Sequence, residues 1–361
     1  MAFGQCPSEI IYLRSQAEID AFAITYPNCT QLNRGIEIEG NGITNLNGLN
    51  QIERIEEGLT INGADIENFS GLENLLYIGE NLTLFGNAYI QNFNGLNQLE
   101  EIGGQFFIDF TDYLENFVGL DSLTKIGTNY SLGMQISYND ALISFEGLEN
   151  LLEIHGEFEI KGNESLVDFR GLNNLISVFG NINIHSNDNL ETFNGLENIQ
   201  YGENFMAIEF NPKLTSINAL GNMSSSDFYQ GVYIRNNVLL PFCSIVPVCN
   251  AIADATITVV ISDNFPGCNS VPEVEAQCEL SISETVFSKN LSVFPNPVSS
   301  TLNIKTAGNI SFEKAKVYST LGKLILETSE KQINLETLSA GIYFVEVVTD
   351  KGIVTKKIIK K

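Results

Sequence analysis

The chain has no tryptophan, two histidines and only 19 lysines and arginines among 361 residues. Against those cations stand 44 Asp and Glu, for a net charge of −25. Nucleic-acid binding draws most of its affinity from cations on phosphates, so a chain this acidic is a poor partner for DNA or RNA. No apolar run approaches the roughly 18 residues that a membrane-spanning helix needs. H-E-x-x-H, G-x-S-x-G, a Walker loop and a Rossmann glycine pattern are all missing. The motif search therefore gives no catalytic residues, no metal ligands and no cofactor. C-x-x-C is missing too, which excludes zinc ribbons and thioredoxin-like redox chemistry.

The cysteines that are present leave a long gap. Cys6 and Cys29 lie near one end, and Cys243, Cys249, Cys268 and Cys278 follow after a cysteine-free middle. An even number in clusters points to disulfides and an oxidising compartment. Cys6–Cys29 is the natural first bridge, while the quartet allows three pairings. Charge is as uneven as cysteine. Residues 1–288 hold 8 Lys/Arg against 38 Asp/Glu, a net of −30, and residues 289–361 hold 11 against 6, a net of +5. The change of sign marks a domain boundary. Ala2-Phe3-Gly4 places small residues where a signal peptidase cuts, with Gln5 next, so the expectation is a start inside a longer signal sequence.

A Gly-Leu dipeptide recurs at Gly48, Gly71, Gly95, Gly119, Gly147, Gly171 and Gly195, and Ala219-Leu220 continues the series. The period is about 24 residues. In the unit from Gly71 the apolar slots are Leu72, Leu75, Ile78, Leu82, Leu84, Ile90 and Phe93. The unit from Gly171 repeats them as Leu172, Leu175, Val178, Ile182, Ile184, Leu190 and Phe193. Leu82-Thr83-Leu84 and Ile182-Asn183-Ile184 alternate as half-buried strands do. So short a unit buries its apolar side only against its neighbours, which predicts parallel strands and a continuous core. Eight or nine coils at about 4.8 Å each predict a rod of roughly 40 Å. Asn87, Asn139, Asn163, Asn187 and Asn211 share one slot, with Thr111 interrupting, and predict a buried Asn column at a tight corner. Such a rod needs caps. Ser15-Gln16-Ala17-Glu18 reads as a capping box opening a helix through about Tyr26, and the segment from Pro241 to Cys278 leaves the repeat.

The pattern G-L-x-N-L-x-x-I-G-x-x-L-x-I-x-x-N-x-x-L-x-x-F, between a cysteine-bearing helix and a cysteine cluster, resembles the receptor L-domain type of leucine-rich β-solenoid over about residues 6–278. The resemblance implies a binding scaffold for varied ligands rather than an enzyme. From Leu291 the grammar changes. Thr301–Lys305, Lys314–Tyr318, Lys323–Leu326, Ile342–Val348 and Ile353–Ile359 read as short strands of a small β-sandwich, with Asp350-Lys-Gly352 as a hairpin signal. Phe294-Pro295-Asn296-Pro297, Val317-Tyr318 with Gly322-Lys323, Leu338-Ser-Ala-Gly341-Ile-Tyr343, Lys356-Lys357 and Lys360-Lys361 are similar to the type A C-terminal sorting domain of type IX secretion. That resemblance implies an interaction with the type IX machinery and export across the outer membrane of a Bacteroidetes-type bacterium. It also implies removal of this domain, and attachment of the remainder to surface lipopolysaccharide or its release.

The expected fold is thus all-β: a single-strand β-solenoid with disulfide-tied caps and a small C-terminal Ig-like sandwich. The expected organisation is an N-terminal cap at 1–33, repeats at 34–242, a cysteine-rich cap at 243–280, a linker at 281–290 and the sorting domain at 291–361. His155 replaces a turn residue, His185 sits in an outward strand slot, and each reads as a solvated side chain. Asn187-Asp188-Asn189 and Asn139-Asp140 put oxygens at coil corners, but no D-x-D-x-D-G calcium loop occurs. The outward slots Thr60, Thr83, Phe107, Gln135, Glu159, Asn183 and Ala207 form no threonine ladder, which excludes an ice-binding face. One stretch breaks the pattern. Phe107, Asp109, Phe110 and Tyr113, flanked by Phe85 and Tyr89, precede four extra residues near Thr128–Gly133 that include Tyr130. Exposed aromatics beside a loop that interrupts a regular scaffold stack on sugar rings or anchor a protein partner. These seven residues are the candidate ligand site. A glycan- or protein-binding surface protein is the leading expectation; a passive structural protein of a surface layer or biofilm matrix, and a hydrolase, are the alternatives.

Overall fold

The computed structural model describes residues 6–128, 132–223, 225–278, 291–306, 311–319, 323–350 and 352–361. The expectations resting on Ala2-Phe3-Gly4, Tyr130, the linker 281–290 and Gly322 lie outside the described residues. The chain separates into two compact units, Met1–Glu275 and Ala276–Lys361.

The first unit is the expected β-solenoid. Each coil contributes a strand of about four residues whose alternate side chains turn inward. Leu82 and Leu84 in Leu82–Phe85, and Ile182 and Ile184 in Ile182–His185, have no exposed surface. Identical slots pair in parallel register, as in Leu82↔Phe106, Met134↔Phe158 and Ile182↔Met206. Each coil also carries a second, two-residue strand, such as Tyr77–Ile78 or Glu153–Ile154, in a parallel ladder of its own. The long ladder has eleven rungs among the described residues, more than the eight or nine coils expected. Ile11–Leu13 extends it at one end and Val259–Ser262 at the other, so the ladder continues into both segments read as caps.

Three repeated devices explain the Gly, Asn and Phe slots. After nine of the eleven long strands one residue adopts the left-handed conformation: Gly63, Gly86, Phe110, Tyr138, Gly162, Ser186, Phe210, Asn236 and Asp263, with φ between 50° and 64°. The next residue turns inward as the Asn column. Asn163 shows the pattern: its Oδ1 accepts from the Asn139 amide at 3.1 Å and its Nδ2 donates to the Ile136 carbonyl at 2.9 Å. Asn237 and Asn264 extend the column two coils beyond the expected five, and all but Asn264, 7% exposed, have no exposed surface. At the opposite corner Phe69, Phe93, Phe117, Phe145 and Phe169 stack down the core with centroids 5.0 to 5.5 Å apart, and Phe193 meets Phe169 edge-on at 5.1 Å. Full burial of each such ring stabilises the coil by about 1.5–3 kcal/mol. The Gly of the Gly-Leu dipeptide lets the preceding coil approach: at Gly171, with φ 106°, a Cβ would lie 1.9 Å from the Phe145 carbonyl oxygen.

The helix Gln16–Thr25 opens at Ser15, whose side chain accepts from the Glu18 amide, and buries Ile19 and Phe22. Glu18 in turn accepts from the Arg14 amide at 2.6 Å, one residue before the partner a standard capping box uses. Cys6–Cys29 and Cys243–Cys268 are formed, Cys249 and Cys278 are disulfide-bonded too, and no cysteine is free.

The second unit is a β-sandwich of a three-stranded and a four-stranded antiparallel sheet. The first holds Leu291–Phe294, Thr301–Thr306 and Gln332–Asn334; the second holds Leu324–Thr328, Phe312–Ser319, Gly341–Thr349 and Gly352–Lys360. Leu302, Ile304, Val317, Val345, Val347 and Ile358 lie in the core between them.

Candidate ligand-binding face

The outward side of the long ladder is built from alternate strand residues, so lateral register decides which side chains meet. One outward row runs Thr83, Phe107, Gln135, Glu159, Asn183, Ala207. The neighbouring row runs Phe85, Asp109, Ser137, Lys161, His185, Glu209. Beyond that row stand the left-handed corners.

The corner aromatics form a ridge. Phe110 stacks on Tyr138 with centroids 5.2 Å apart and planes at 8°. Phe85 meets Phe110 edge-on at 5.9 Å, and the Lys161 ammonium lies 5.1 Å from the Tyr138 ring centre. Phe85, Phe110 and Tyr138 remain 44%, 48% and 37% exposed. Tyr89 and Tyr113, both more than half exposed, form a looser pair at 6.5 Å. For an L-residue the left-handed conformation costs roughly 1–2 kcal/mol, and a bulky side chain there is a genuine outlier. Phe110, Tyr138 and Phe210 accept that cost where Gly63, Gly86 and Gly162 avoid it. Gly162 has a further role, since a Cβ there would lie 2.7 Å from the Tyr138 ring.

Beside the ridge the face is polar and densely connected. Gln135 Nε2 lies 3.1 Å from an oxygen of Glu157 and 3.1 Å from an oxygen of Glu159, and Gln105 bonds to Gln135. Asn183 Nδ2 donates to Glu159 at 3.3 Å, and His185 Nε2 lies 3.3 Å from the same oxygen. Burial, and then the charge of Glu159, hold the Glu157 carboxyl above its ordinary range. Burial does the same for Asp109, opposed by Lys161, and Asp109 Oδ1 is buried with no hydrogen-bond partner. The Tyr138 hydroxyl, more than Glu159 or Asp109, holds the Lys161 ammonium above its usual range.

Of the seven candidate residues, the structure brings Phe85, Phe107, Asp109 and Phe110 onto this face, with Tyr89 and Tyr113 one turn beyond the corner. Phe107 is half-buried rather than exposed. Of the insertion, Leu132 is 63% exposed and leads into Gly133–Ser137, opposite Glu157. Neither histidine is the solvated side chain expected. His155 stacks on Phe179 at 4.5 Å and bonds to Glu153, while His185 is only 20% exposed and bonds to Glu159. The corner oxygens of Asn139 and Asn187 accept from the Thr111 and Asn163 amides within the column, which leaves them unfit as calcium ligands. Among the described residues no group of three or more His, Cys, Asp or Glu is placed to hold a metal ion. Sequence reasoning missed Tyr138, Glu157 and Lys161 as members of the face. The signal was the register: each follows from aligning outward slots coil by coil.

Among the described residues no helix is long and apolar enough to cross a membrane. Comparison with curated proteins gave no significant match. Residues 292–361 match the family model described as the secretion system C-terminal sorting domain, which marks the protein as one exported by type IX secretion, secreted or held at the outer-membrane surface.

Proposed function

We propose that the exported solenoid is a non-enzymatic recognition module, adhesin-like in role, that takes a glycan on the outward face between Phe85 and Phe210. The observation that carries this reading is the pair Phe110 and Tyr138, held at φ 50° and 53° and open to solvent where adjacent coils use Gly. The ring contact between them, worth about 0.5–1.5 kcal/mol, does not offset strain of roughly 1–2 kcal/mol per residue, and such strain gathers at binding sites. The adjoining carboxamides and carboxylates of Gln105, Gln135, Glu159 and Asn183 are planar donor and acceptor groups of the kind that fix sugar hydroxyls. The solenoid's resemblance to receptor L-domains favours recognition over catalysis.

Glu157 and Glu159 are the feature a glycosidase would need, two neighbouring carboxyls of which burial raises one, Glu157, above its ordinary range. Both, however, reach one nitrogen from the same side of an open sheet, whereas hydrolysis needs the two groups flanking the bond. A structural protein of a surface layer or matrix is the remaining alternative, and nothing in that role calls for strained aromatics.

Electrophoresis of the full chain through gels containing soluble polysaccharides tests the reading. Retardation by at least one polysaccharide, abolished in Phe110→Gly/Tyr138→Gly without cleavage of the polymer, supports it. Release of new reducing ends would replace it with the hydrolase. Retardation by none, with binding to a protein-coated surface lost in the same variant, would move the ligand to a protein. No variant-sensitive binding at all would leave the matrix role.

A further inference from the structure

The outward side of the four-stranded sheet in the second unit is divided in two. One half carries Lys314, Lys316, Glu327 and Glu346, tied as Lys314–Glu327 at 2.8 Å and Lys316–Glu346 at 2.9 Å. That half is at ease in water. The other half is apolar. Leu324, Tyr318, Phe344 and Lys357 form one rung across all four strands, since Tyr318 pairs with both Leu324 and Phe344, and Phe344 pairs with Lys357. Ile342 and Ile359 face one another as the next outward pair. Leu324, Ile342 and Ile359 are 45%, 42% and 42% exposed, and Phe344 is 37% exposed. Contiguous apolar surface of this kind on a small domain marks a place where something binds.

The sorting motifs converge on this half. Asn296 donates from Nδ2 to the Lys357 carbonyl at 3.0 Å and accepts on Oδ1 from the Ile359 amide at 2.9 Å. Val298 bonds to the same strand, donating to the Ile359 carbonyl at 2.8 Å and accepting from the Lys361 amide at 2.9 Å. The Phe294-Pro295-Asn296-Pro297 segment thus holds in place the strand that carries Ile359 and Lys357. Tyr343 anchors the neighbouring strand through a bond from its hydroxyl to the Ser339 carbonyl at 3.0 Å.

Residues 292–361 match a domain that exists to be read during secretion. We infer that the apolar half-face formed by Leu324, Tyr318, Phe344, Ile342 and Ile359, bordered by Lys357, is the surface by which the export machinery reads it. Its partner is a protein surface that is apolar at the centre and bordered by carboxylates. Charge complementarity supports that rim: residues 289–361 carry a net +5, the reverse of the −30 that precedes them.

The test uses the full chain in a bacterium competent for type IX secretion. In Ile342→Thr/Phe344→Thr/Ile359→Thr, protein at the cell surface and in the medium is expected to fall at least about tenfold, the loss of roughly 1.4 kcal/mol of recognition. The chain then accumulates in the periplasm. The charge swap Lys314→Glu/Glu327→Lys, on the ion-paired half, is expected to be exported like the parent. All three threonines are outward strand residues, so purified variant and parent should melt alike; if they do not, Phe344→Lys alone is read in the same assay. Parental export of the folded patch variant overturns the inference. Equal loss from the charge swap overturns it as well, because reading would then depend on the whole sheet.

Discussion

Phe110 and Tyr138 sit in a conformation that favours glycine, at corners that adjacent coils fill with Gly86 and Gly162. Replacing them by Gly removes a ring contact worth about 0.5–1.5 kcal/mol and relieves strain of roughly 1–2 kcal/mol per residue, so loss of binding in that variant cannot be ascribed to unfolding. Glu157 gives a second case of stability yielded at the same face. Its folded-state pKa is raised by burial and by Glu159, so the folded protein holds that proton more tightly than the unfolded chain. The ionised group therefore weakens the fold at neutral pH and ceases to do so as pH falls through its raised pKa. Glu157→Gln is expected to raise Tm at pH 7, with the gain shrinking as the pH enters the carboxylate range. A gain independent of pH would contradict that cause. Thr111 is the one residue in the Asn column from Asn87 to Asn264 that is not Asn, and its Oγ1 is buried without a hydrogen-bond partner. Thr111→Asn supplies the missing oxygen and amide and is expected to stabilise by about 1 kcal/mol in urea denaturation; destabilisation would mean that this coil is too narrow for the longer side chain.

A coil has two kinds of glycine, and they differ in what a side chain would meet. At Gly86, φ 64°, an added Cβ finds nothing within 4 Å, whereas at Gly171, φ 106°, it meets the Phe145 carbonyl at 1.9 Å. Gly86→Ala should cost about 1 kcal/mol, the conformational penalty alone. Gly171→Ala should cost at least about 3 kcal/mol, because the coils must also separate. Urea midpoints of the two variants check the contrast, and equal losses would refute it. The Gly-Leu dipeptide, the apolar slots that include Phe93 and Phe193, and five members of the Asn column were legible in the sequence because their chemistry returns at nearly constant spacing. Asn237 and Asn264 were not, because those coils are 26 and 27 residues long and drift out of phase. The polar face was harder still. Gln135, Glu157 and Asn183 are ordinary residues singly, and only parallel pairing across strands places them around Glu159. His185 reads as solvated from its slot alone, yet its neighbours across the sheet cover it.

At the scale of the molecule the two units divide the work: a sorting domain matched over residues 292–361, and an acidic solenoid whose regularity is broken at one face. Along the same column of corners the other residues are Gly, Ser, Asn or Asp, as backbone geometry prefers, apart from Phe210. Of the three aromatic departures, Phe110, Tyr138 and Phe210, the first two adjoin the coil with the insertion and the Gln135–Glu157–Glu159 network. The most direct measurement is binding of the full chain to a broad glycan array, with Phe110→Gly/Tyr138→Gly beside an Arg170→Ala control. Arg170 lies in a separate shallow groove with Glu146 and Glu149. Selective glycan binding that survives in the control and falls at least about tenfold in the ridge variant is the predicted result. Selective binding that the ridge variant retains in full would contradict the assignment of this face.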